Sequence, residues 1–372
     1  EDLLGRPQQV LDRTAMEGLI RNRRVLVTGA GGTIGGELAR QVAALGPAHL
    51  TLLDNAEFAL YGADQEIAEC AAETPRDQVL ADVRDGPRMA GVIADCRPEL
   101  VFHAAALKHV PMVEAHPEEG VLTNAIGTRN VADACLKGGV RAMVLISTDK
   151  AVNPASVMGA SKRVAESYCQ ALNLAGHGRG GGPATRFMTV RFGNVLGSTG
   201  SVVPLFQRQL ARGGPLTVTH PEMKRYFMTV REAVELVLEA TVLGTEEGAG
   251  AAIFVLDMGE PIKIIDLARQ MIRLAGHDPD QDIAIEITGL RPGEKLTEEL
   301  FHETETTEAT RYPGVLVARP RPLGLALLDS GLAEMERAAR AGDGMALRAA
   351  LARLAPDYRP SLTDAIAGHG AR

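Results

Sequence analysis

The chain has 372 residues, of which 45% are hydrophobic and 23% charged, so it is long enough for a large core and has a globular composition. A net charge of −8, no tryptophan and 3% aromatic residues argue against nucleic-acid binding. The four cysteines lack metal-ligand spacing and indicate a reduced chain, and no apolar run suggests a membrane span or a signal peptide.

Apolar runs alternate with helical patterns along the first half of the chain. This alternation predicts a parallel sheet covered by helices on both faces, an α/β doubly wound nucleotide-binding fold. The predicted strands are 25–28, 50–53, 78–83, 100–106, 142–147 and 187–192, and the helices between them include 121–137 and 158–174.

The strand–helix rhythm ends near residue 193, where loops rich in Gly, Pro and basic residues begin. We expect a smaller C-terminal substrate-binding region there, part of which returns to the sheet. The predicted division is an N-terminal arm at 1–23, a nucleotide-binding domain at 24–192, a substrate region at 193–322 with 253–268 rejoining the sheet, and packing helices at 323–372.

The first strand runs into a glycine-rich turn, TGAGGTIG at 28–35. Gly29 permits the tight turn, Gly32 lets the backbone approach a pyrophosphate, and Gly35 lets the following helix pack closely on the sheet. Thr33 and Ile34 open that helix. The strand, the turn, the helix and an acid 19 residues after Gly35 together predict a dinucleotide site.

Asp54 is that acid, at the end of the second strand. Its carboxylate would accept hydrogen bonds from ribose hydroxyls and repel a 2′-phosphate, which favours NAD over NADP, although an N-cap aspartate is the alternative interpretation. Asp82 and Val83 suit the adenine edge. Small side chains at Ala104, Ala105 and Ala106 leave room beside the cofactor.

Polar residues follow the fifth strand at Ser147, Thr148, Asp149 and Lys150. Ligands of open α/β sheets bind at this carboxyl edge, and an adjacent acid and base suggest two proton transfers in one catalytic cycle. A solvated Asp-Lys turn is the alternative.

A short-chain dehydrogenase carries Tyr-x-x-x-Lys in this region, but here the spacing is Met158 to Lys162. Lys162 should bind the nicotinamide ribose. Met158 fills the space of the tyrosine and carries no proton, so we expect a changed reaction rather than a decayed site.

The chain resembles the nucleotide-sugar 4,6-dehydratases of the extended short-chain dehydrogenase/reductase family, which have a Rossmann fold, and in particular bacterial UDP-N-acetylglucosamine 4,6-dehydratases of polysaccharide biosynthesis. The resemblance covers most of residues 24–301. It is carried by TGAGGTIG, FHAAALKHVPMVE (102–114), NAIGT (124–128), STDKAVNPASVMGASKR (147–163), VRFGNVLGSTGSVVPLF (190–206), KRYFMT (224–229), VLDMGEPIKIIDLA (255–268) and TGLRPGEKLTEELF (288–301).

The resemblance implies that NAD oxidises the sugar at C4, that water is lost across C5 and C6, and that the hydride returns to C6. Lys150 would be the C5 base, and Asp149 the acid for the C6 hydroxyl. Asp149, directly or through Thr148 or a water molecule, would accept the C4 proton in place of the tyrosine. Thr148 would bind the C4 oxygen. The methionine form implies retention of configuration at C5.

The resemblance also supplies the expected ligand contacts. Lys108 and Asn124 would join the cofactor site, and the nucleotide sugar would be held by Lys108, His109, Asn194, Arg225, Arg291 and Glu294. His109 has a structural histidine as its alternative interpretation. The sequence leaves open the uracil or thymine base, the downstream pathway, the C5 stereochemistry and the identity of the C4 proton acceptor.

Two other functions stay open at this point: a nucleotide-sugar 4-epimerase or simple dehydrogenase, and a non-catalytic NAD-binding regulator. Neither needs the Asp149-Lys150 pair.

EDLLGRP at 1–7 resembles the segment that joins the catalytic part to membrane helices in long members of the family. We therefore expect a fragment of a membrane-attached protein, located in the cytoplasm or at the cytoplasmic face of the inner membrane. Helices 121–137 and 158–174 resemble those of a four-helix dimer interface, so a homodimer or larger homo-oligomer is expected.

Overall fold

The computed structural model describes residues 12–177, 185–246, 252–302 and 305–360. Within these ranges the strands are β1 (Arg24–Thr28), β2 (His49–Asp54), β3 (Arg76–Leu80), β4 (Leu100–His103), β5 (Ala142–Ile146), β6 (Arg186–Arg191), β7 (Asn194–Val195), β8 (Leu216–Val218), β9 (Lys224–Arg225), β10 (Phe227–Met228), β11 (Ile253–Leu256), β12 (Ile262–Lys263), β13 (Ile285–Ile287), β14 (Thr306–Ala309) and β15 (Val315–Arg319).

The helices of the described residues are α1 (Arg13–Ile20), α2 (Thr33–Ala44), α3 (Glu57–Cys70), α4 (Gly86–Cys96), α5 (Val110–Ala115), α6 (Pro117–Val121), α7 (Gly127–Lys137), α8 (Val157–His177), α9 (Val202–Leu210), α10 (Val230–Thr245), α11 (Ile264–Leu274), α12 (Leu325–Ala341) and α13 (Gly344–Leu354). A π-helical turn, Leu122–Ile126, joins α6 to α7, and a 3₁₀ turn, Asp149–Ala151, follows β5. No helix among these residues is long and apolar enough to cross a membrane.

The main sheet has nine strands in the order β14-β15-β11-β6-β5-β4-β1-β2-β3. The strands from β11 to β3 are parallel to their neighbours, and the order reverses beside β1, as in a doubly wound fold. Strand β5 is buried along its whole length because helices cover both faces of the sheet. The predicted α/β doubly wound sheet is therefore confirmed.

One edge of this sheet departs from the predicted strand pattern. Strands β14 and β15 add to β11 in antiparallel orientation. They fall inside the predicted substrate region, of which only 253–268 was expected to return to the sheet. The division into domains stays a proposal.

Separate apolar clusters fill the two faces of the sheet. One lies under α4, α7 and α8 and includes residues of the C-terminal helices α12 and α13. The other lies under α1, α2 and α10. Helices α12 and α13 pack on α8, whose residues 157–173 are buried except for half-buried Arg163. A four-helix interface built on α8 would require α12 and α13 to be displaced.

A third apolar cluster joins α9 and α11 to the short strands β8 and β13. This smaller region connects to the carboxyl edge of the main sheet through β7, which follows β6 after two residues and pairs with β10. It therefore stands beside the residues that follow β5.

Candidate active site

The glycine turn between β1 and α2 has no room for a side chain at Gly29 or Gly35. Gly29 has a φ of +71°, and a Cβ added to Gly35 would lie 1.9 Å from the Gly29 carbonyl oxygen. Gly32 is the N-cap of α2 and has no side chain to bond the first N–H groups of the helix. Those N–H groups and the helix dipole form an anion site that fits a pyrophosphate. Thr33 and Ile34 lie in the first turn of α2.

Asp54, at the end of β2, holds two turns in place. Its Oδ2 accepts a hydrogen bond from the Gly31 N–H at 2.9 Å, and its Oδ1 accepts one from the Ala56 N–H at 2.9 Å. Ala56, not Asp54, is the N-cap residue of α3. Each carboxylate oxygen keeps a second lone pair, so the arrangement still fits a ribose diol.

Asp82 and Val83 lie in the turn after β3, because the strand ends at Leu80 and not at residue 83 as predicted. Burial raises the pKa of Asp82, but its hydrogen bonds to Arg84 outweigh this effect and lower it. Val83 is buried against Gly127 at the start of α7. Asp82 also lines a cleft of about 650 Å³ between α4, α7 and α12.

The loop after β4 carries the predicted alanines, with Ala104 and Ala105 partly buried and Ala106 exposed. Asn124, in the π-helical turn, accepts a hydrogen bond from the Leu107 N–H at 2.8 Å and donates to the Leu107 carbonyl at 2.9 Å and to the Ser161 hydroxyl at 3.0 Å. Its fully buried side chain thus holds the loop, and its predicted contact with a cofactor stays a prediction.

A buried histidine, His103, lies at the end of β4, just before this loop, and the sequence did not predict a role for it. Thr128 donates its hydroxyl proton to the Asn124 carbonyl at 2.6 Å, so its oxygen accepts from His103 Nε2 at 3.0 Å. His103 Nδ1 then accepts from the Thr28 hydroxyl at 2.7 Å. Burial and the nearby Lys162 lower the pKa of His103 to about 3, so the ring is neutral.

Thr148, Asp149 and Lys150 meet at the carboxyl end of β5. Asp149 has no exposed surface, and its Oδ1 accepts from the Thr148 hydroxyl at 2.9 Å and from Lys150 Nζ at 3.0 Å. Asp149 Oδ2 is buried and has no hydrogen-bond partner among the described residues. An orphaned carboxylate oxygen is costly to bury, so this atom is poised to bind a ligand hydroxyl.

Lys150 also donates to Asn194 Oδ1 at 3.1 Å, which brings one predicted substrate residue to the acid–base pair. The missing side chain of Gly193 leaves space beside Asp149 Oδ2. A Cβ at that position would lie 3.1 Å from Asp149 Oδ2 and 2.9 Å from Tyr226 Cβ. Burial, together with the nearby acids Glu260 and Asp149, raises the pKa of the Tyr226 phenol.

Met158 and Lys162 lie one turn apart in the first half of α8. Met158 is buried in the apolar cluster, which fits its predicted role as a space filler. Lys162 Nζ donates to the Ile146 carbonyl at 2.6 Å. Burial lowers the pKa of Lys162 to about 8, against the opposing effect of Glu166.

An ion-pair network that the sequence did not reveal lies behind these residues. Arg191 is fully buried and donates to both Glu166 oxygens, at 2.9 and 2.8 Å, and to Glu305. Burial raises the pKa of Glu166, but the Arg191 charge outweighs this and lowers it. Glu166 also accepts from the Ser147 hydroxyl at 2.6 Å, so the network fixes α8 to the end of β5.

The predicted substrate residues lie around this centre with different exposure. Arg225 is buried and donates to the Leu296 carbonyl at 3.2 Å, whereas Arg291 is exposed. Glu294 Oε2 accepts from the Arg291 N–H at 3.1 Å. The exposed Lys108 and His109 follow β4, and burial together with Lys108 lowers the pKa of His109.

The sheet order, the glycine turn and the Thr148-Asp149-Lys150 group with Lys162 define an extended short-chain dehydrogenase/reductase. Residues 25–320 match a family described as polysaccharide biosynthesis protein. The chain belongs to this family.

Relatives and one solved structure agree with this assignment. The chain is 49% identical to the capsular polysaccharide biosynthesis protein CapD of Staphylococcus aureus, over 82% of this chain and 49% of that protein, so it spans about half of that relative's length. It is 33% identical to a UDP-N-acetylglucosamine 4,6-dehydratase (inverting) of Campylobacter jejuni, over 75% of this chain and 78% of that protein.

A UDP-glucose 4-epimerase of Rickettsia rickettsii is also 33% identical, over 77% of this chain and 80% of that protein. The solved structure of Pen from Bacillus thuringiensis superposes with a TM-score of 0.71 and 32% identity, covering 82% of this chain and 91% of that one.

Proposed function

We propose that the chain is the catalytic part of an NAD-dependent UDP-N-acetylglucosamine 4,6-dehydratase. Its product would be a UDP-2-acetamido-2,6-dideoxy-4-hexulose with retained C5 configuration. The observation that carries the proposal is the pair of buried Asp149 and partly buried Lys150, 3.0 Å apart, in which Asp149 Oδ2 has no partner among the described residues. Dehydration needs both an acid and a base at one edge of the sugar.

NAD fits the chain on three observations: the glycine turn with no room for a side chain at Gly29 or Gly35, the start of α2 without a side-chain cap, and the Asp54 carboxylate beside both. When bound, NAD supplies the acceptor for the C4 hydride and gives that hydride back at C6. Lys162 would hold the nicotinamide ribose. The carboxylate of Asp54 would disfavour a 2′-phosphate, which supports NAD over NADP.

In this proposal two side chains of the chain accept and return every proton that the reaction moves. Asp149 takes the proton of the C4 hydroxyl and later gives it to the C6 hydroxyl, which leaves as water. Lys150, as a neutral amine, takes the C5 proton and returns it to the same face of C5, which retains configuration. Thr148 binds the C4 oxygen, and buried Met158 excludes water without taking a proton.

The UDP group would be held by the charged residues around the centre. Arg291 is exposed and can turn its planar fork toward a phosphate, and Glu294 can bind a ribose hydroxyl. Lys108, His109 and Arg225 would complete the diphosphate and sugar contacts. We further propose that the full protein is a homo-oligomer that works in the cytoplasm or at the cytoplasmic face of the inner membrane.

A 4-epimerase is the second candidate, favoured by the Rickettsia relative at 33% identity. An epimerase returns the hydride to C4 and needs no base at C5. The Lys150 amine beside Asp149 therefore favours the dehydratase. A non-catalytic NAD-binding regulator needs neither residue.

One incubation separates the three functions. Purified protein is mixed with UDP-N-acetylglucosamine, and the sugar is followed by NMR. We expect a 4-keto-6-deoxy sugar without added NAD; a galacto sugar would indicate an epimerase, and unchanged substrate a regulator. Lys150→Ala should lose product formation, whereas Lys137→Ala, a change at an exposed lysine on α7, should keep it.

A further inference from the structure

The segment 288–301 lies against the loop after β5 and is bonded to it. Lys295 Nζ donates to the Val152 carbonyl at 3.0 Å, and Asn153 donates to Glu299. A Cβ at Gly293 would lie 2.8 Å from Ser156 Cβ, so the two backbones approach closely. These contacts hold the segment close to Lys150.

The segment places one glutamate inside the site. Glu298 is 5% exposed, and its Oε1 lies 3.9 Å from Lys150 Nζ and 3.8 Å from Arg225 Nη2. Its neighbour Glu299 is on the surface, with a side chain 44% exposed. A buried carboxylate is unfavourable unless nearby charge compensates it. Lys150 and Arg225 can supply that charge, so the burial of Glu298 is linked to the charge on Lys150.

We propose that Glu298 is the counter-ion that stabilises Lys150 when Lys150 takes the C5 proton. The inference rests on the proposed dehydratase function and extends it to a residue outside the acid–base pair.

The order of the proton transfers determines which carboxylate can stabilise Lys150. Before reaction, Lys150 Nζ is held by Asp149 at 3.0 Å and by Asn194 at 3.1 Å. Once Asp149 has taken the C4 proton it is neutral and no longer compensates a positive lysine. Lys150 must become an ammonium ion in the next step. Among the described residues, Glu298 is then the remaining carboxylate within 4 Å of Nζ, and in this proposal it carries the compensating negative charge.

The Glu298 carboxylate therefore matters in the elimination step and not in C4 oxidation. Burial raises the pKa of Glu298 and outweighs the opposing effect of Lys150, and the nearby Asp149 carboxylate raises it further. Protonation of Asp149 removes that last effect, so the Glu298 carboxylate is favoured after C4 oxidation. Arg225 lies near the same Glu298 oxygen, Oε1, as Lys150 does. A diphosphate that binds Arg225 would therefore leave Lys150 as the nearest cation to Glu298 among the described residues.

The test separates the two steps in Glu298→Gln, which keeps the shape of the side chain and removes its charge. Substrate at saturating concentration is mixed rapidly with NAD-loaded protein. Bound NADH is followed by its absorbance, and the 4-keto-6-deoxy product by quenching. We expect NADH to form at nearly the wild-type rate and then to build up, because elimination slows by about a hundredfold. Glu298→Asp should recover part of the loss.

The matched control is Glu308→Gln, which removes an acid from an exposed ion pair between Glu308 on β14 and Arg319 on β15. It should behave as wild type in both steps. If Glu298→Gln slows both steps equally, or slows neither, the assignment is overturned. If it does not retain NAD, Glu298→Asp replaces it in the comparison, and an unchanged ratio of the two rates overturns the assignment.

A failure of the proposed dehydratase function can be distinguished from a failure of the Glu298 assignment. A wild-type protein that makes no 4-keto-6-deoxy sugar removes the dehydratase and the Glu298 assignment together. A wild-type protein that makes it, with no selective effect of Glu298→Gln, removes the Glu298 assignment alone.

Discussion

Replacing Asp149 by asparagine tests the residue that serves two steps of the proposed reaction. The side chain is fully buried, and asparagine has nearly its shape, so the hydrogen bond from Thr148 can persist. The amide cannot take the C4 proton or protonate the C6 hydroxyl. A general acid–base group typically contributes about 10²–10⁴-fold, which corresponds to about 3–5 kcal/mol of barrier. We expect a loss of turnover within this range.

The assay for Asp149→Asn is bound NADH after substrate is added. Oxidation at C4 is the first step, so Asp149→Asn should form little NADH. Lys150→Ala should accumulate NADH, because only the later C5 step needs the amine. If Asp149→Asn forms NADH at the wild-type rate, another group accepts the C4 proton. Tyr226, across Gly193 from Asp149, is then the phenol to remove as Tyr226→Phe.

Other changes test the surrounding site. Met158→Leu should keep substantial turnover because it preserves buried volume, and a loss equal to that of the acid–base variants would give the thioether a role. Asp54→Ala should weaken NAD and raise relative binding of NADP in titrations; equal binding of both by wild type would contradict this. Gly35→Ala should remove co-purified NAD, since its Cβ would meet the Gly29 carbonyl at 1.9 Å; retained NAD would contradict this. Lys162 has a folded pKa of about 8, below its ordinary 10.5, so wild-type stability relative to Lys162→Met should rise by about 3 kcal/mol between these pH values. Parallel denaturation curves at every pH would contradict this.

The parallel part of the fold was predictable because its central strands, such as β5, are buried on both faces and form continuous apolar runs in the sequence. The antiparallel edge was not. Strand β14, Thr306–Ala309, is exposed along its length and has no apolar pattern, so only its pairing with β15 makes it a strand. The strand expected at 78–83 includes apolar residues that lie in the following turn, and the pairing of β3 with β2 ends at Leu80.

The candidate site was predictable where a local motif fixes it, as at the glycine turn and at Thr148-Asp149-Lys150. Residues that act through distant contacts were missed. Nothing in the sequence distinguishes Glu298 from Glu299, because their burial differs only once the segment 288–301 is fastened to the loop after β5. His103 likewise has ordinary neighbours, and its bonds to Thr28 and Thr128 require two other elements to meet.

The most direct test of the account is the fate of the C4 hydrogen. Protein with its bound NAD is incubated with UDP-N-acetylglucosamine that carries deuterium at C4, and the product is examined by NMR and mass spectrometry. We expect a 4-keto sugar in which the deuterium has moved to the C6 methyl group, without net formation of reduced NAD. Deuterium that is retained at C4 of a galacto sugar, or released in reduced NAD, would contradict it.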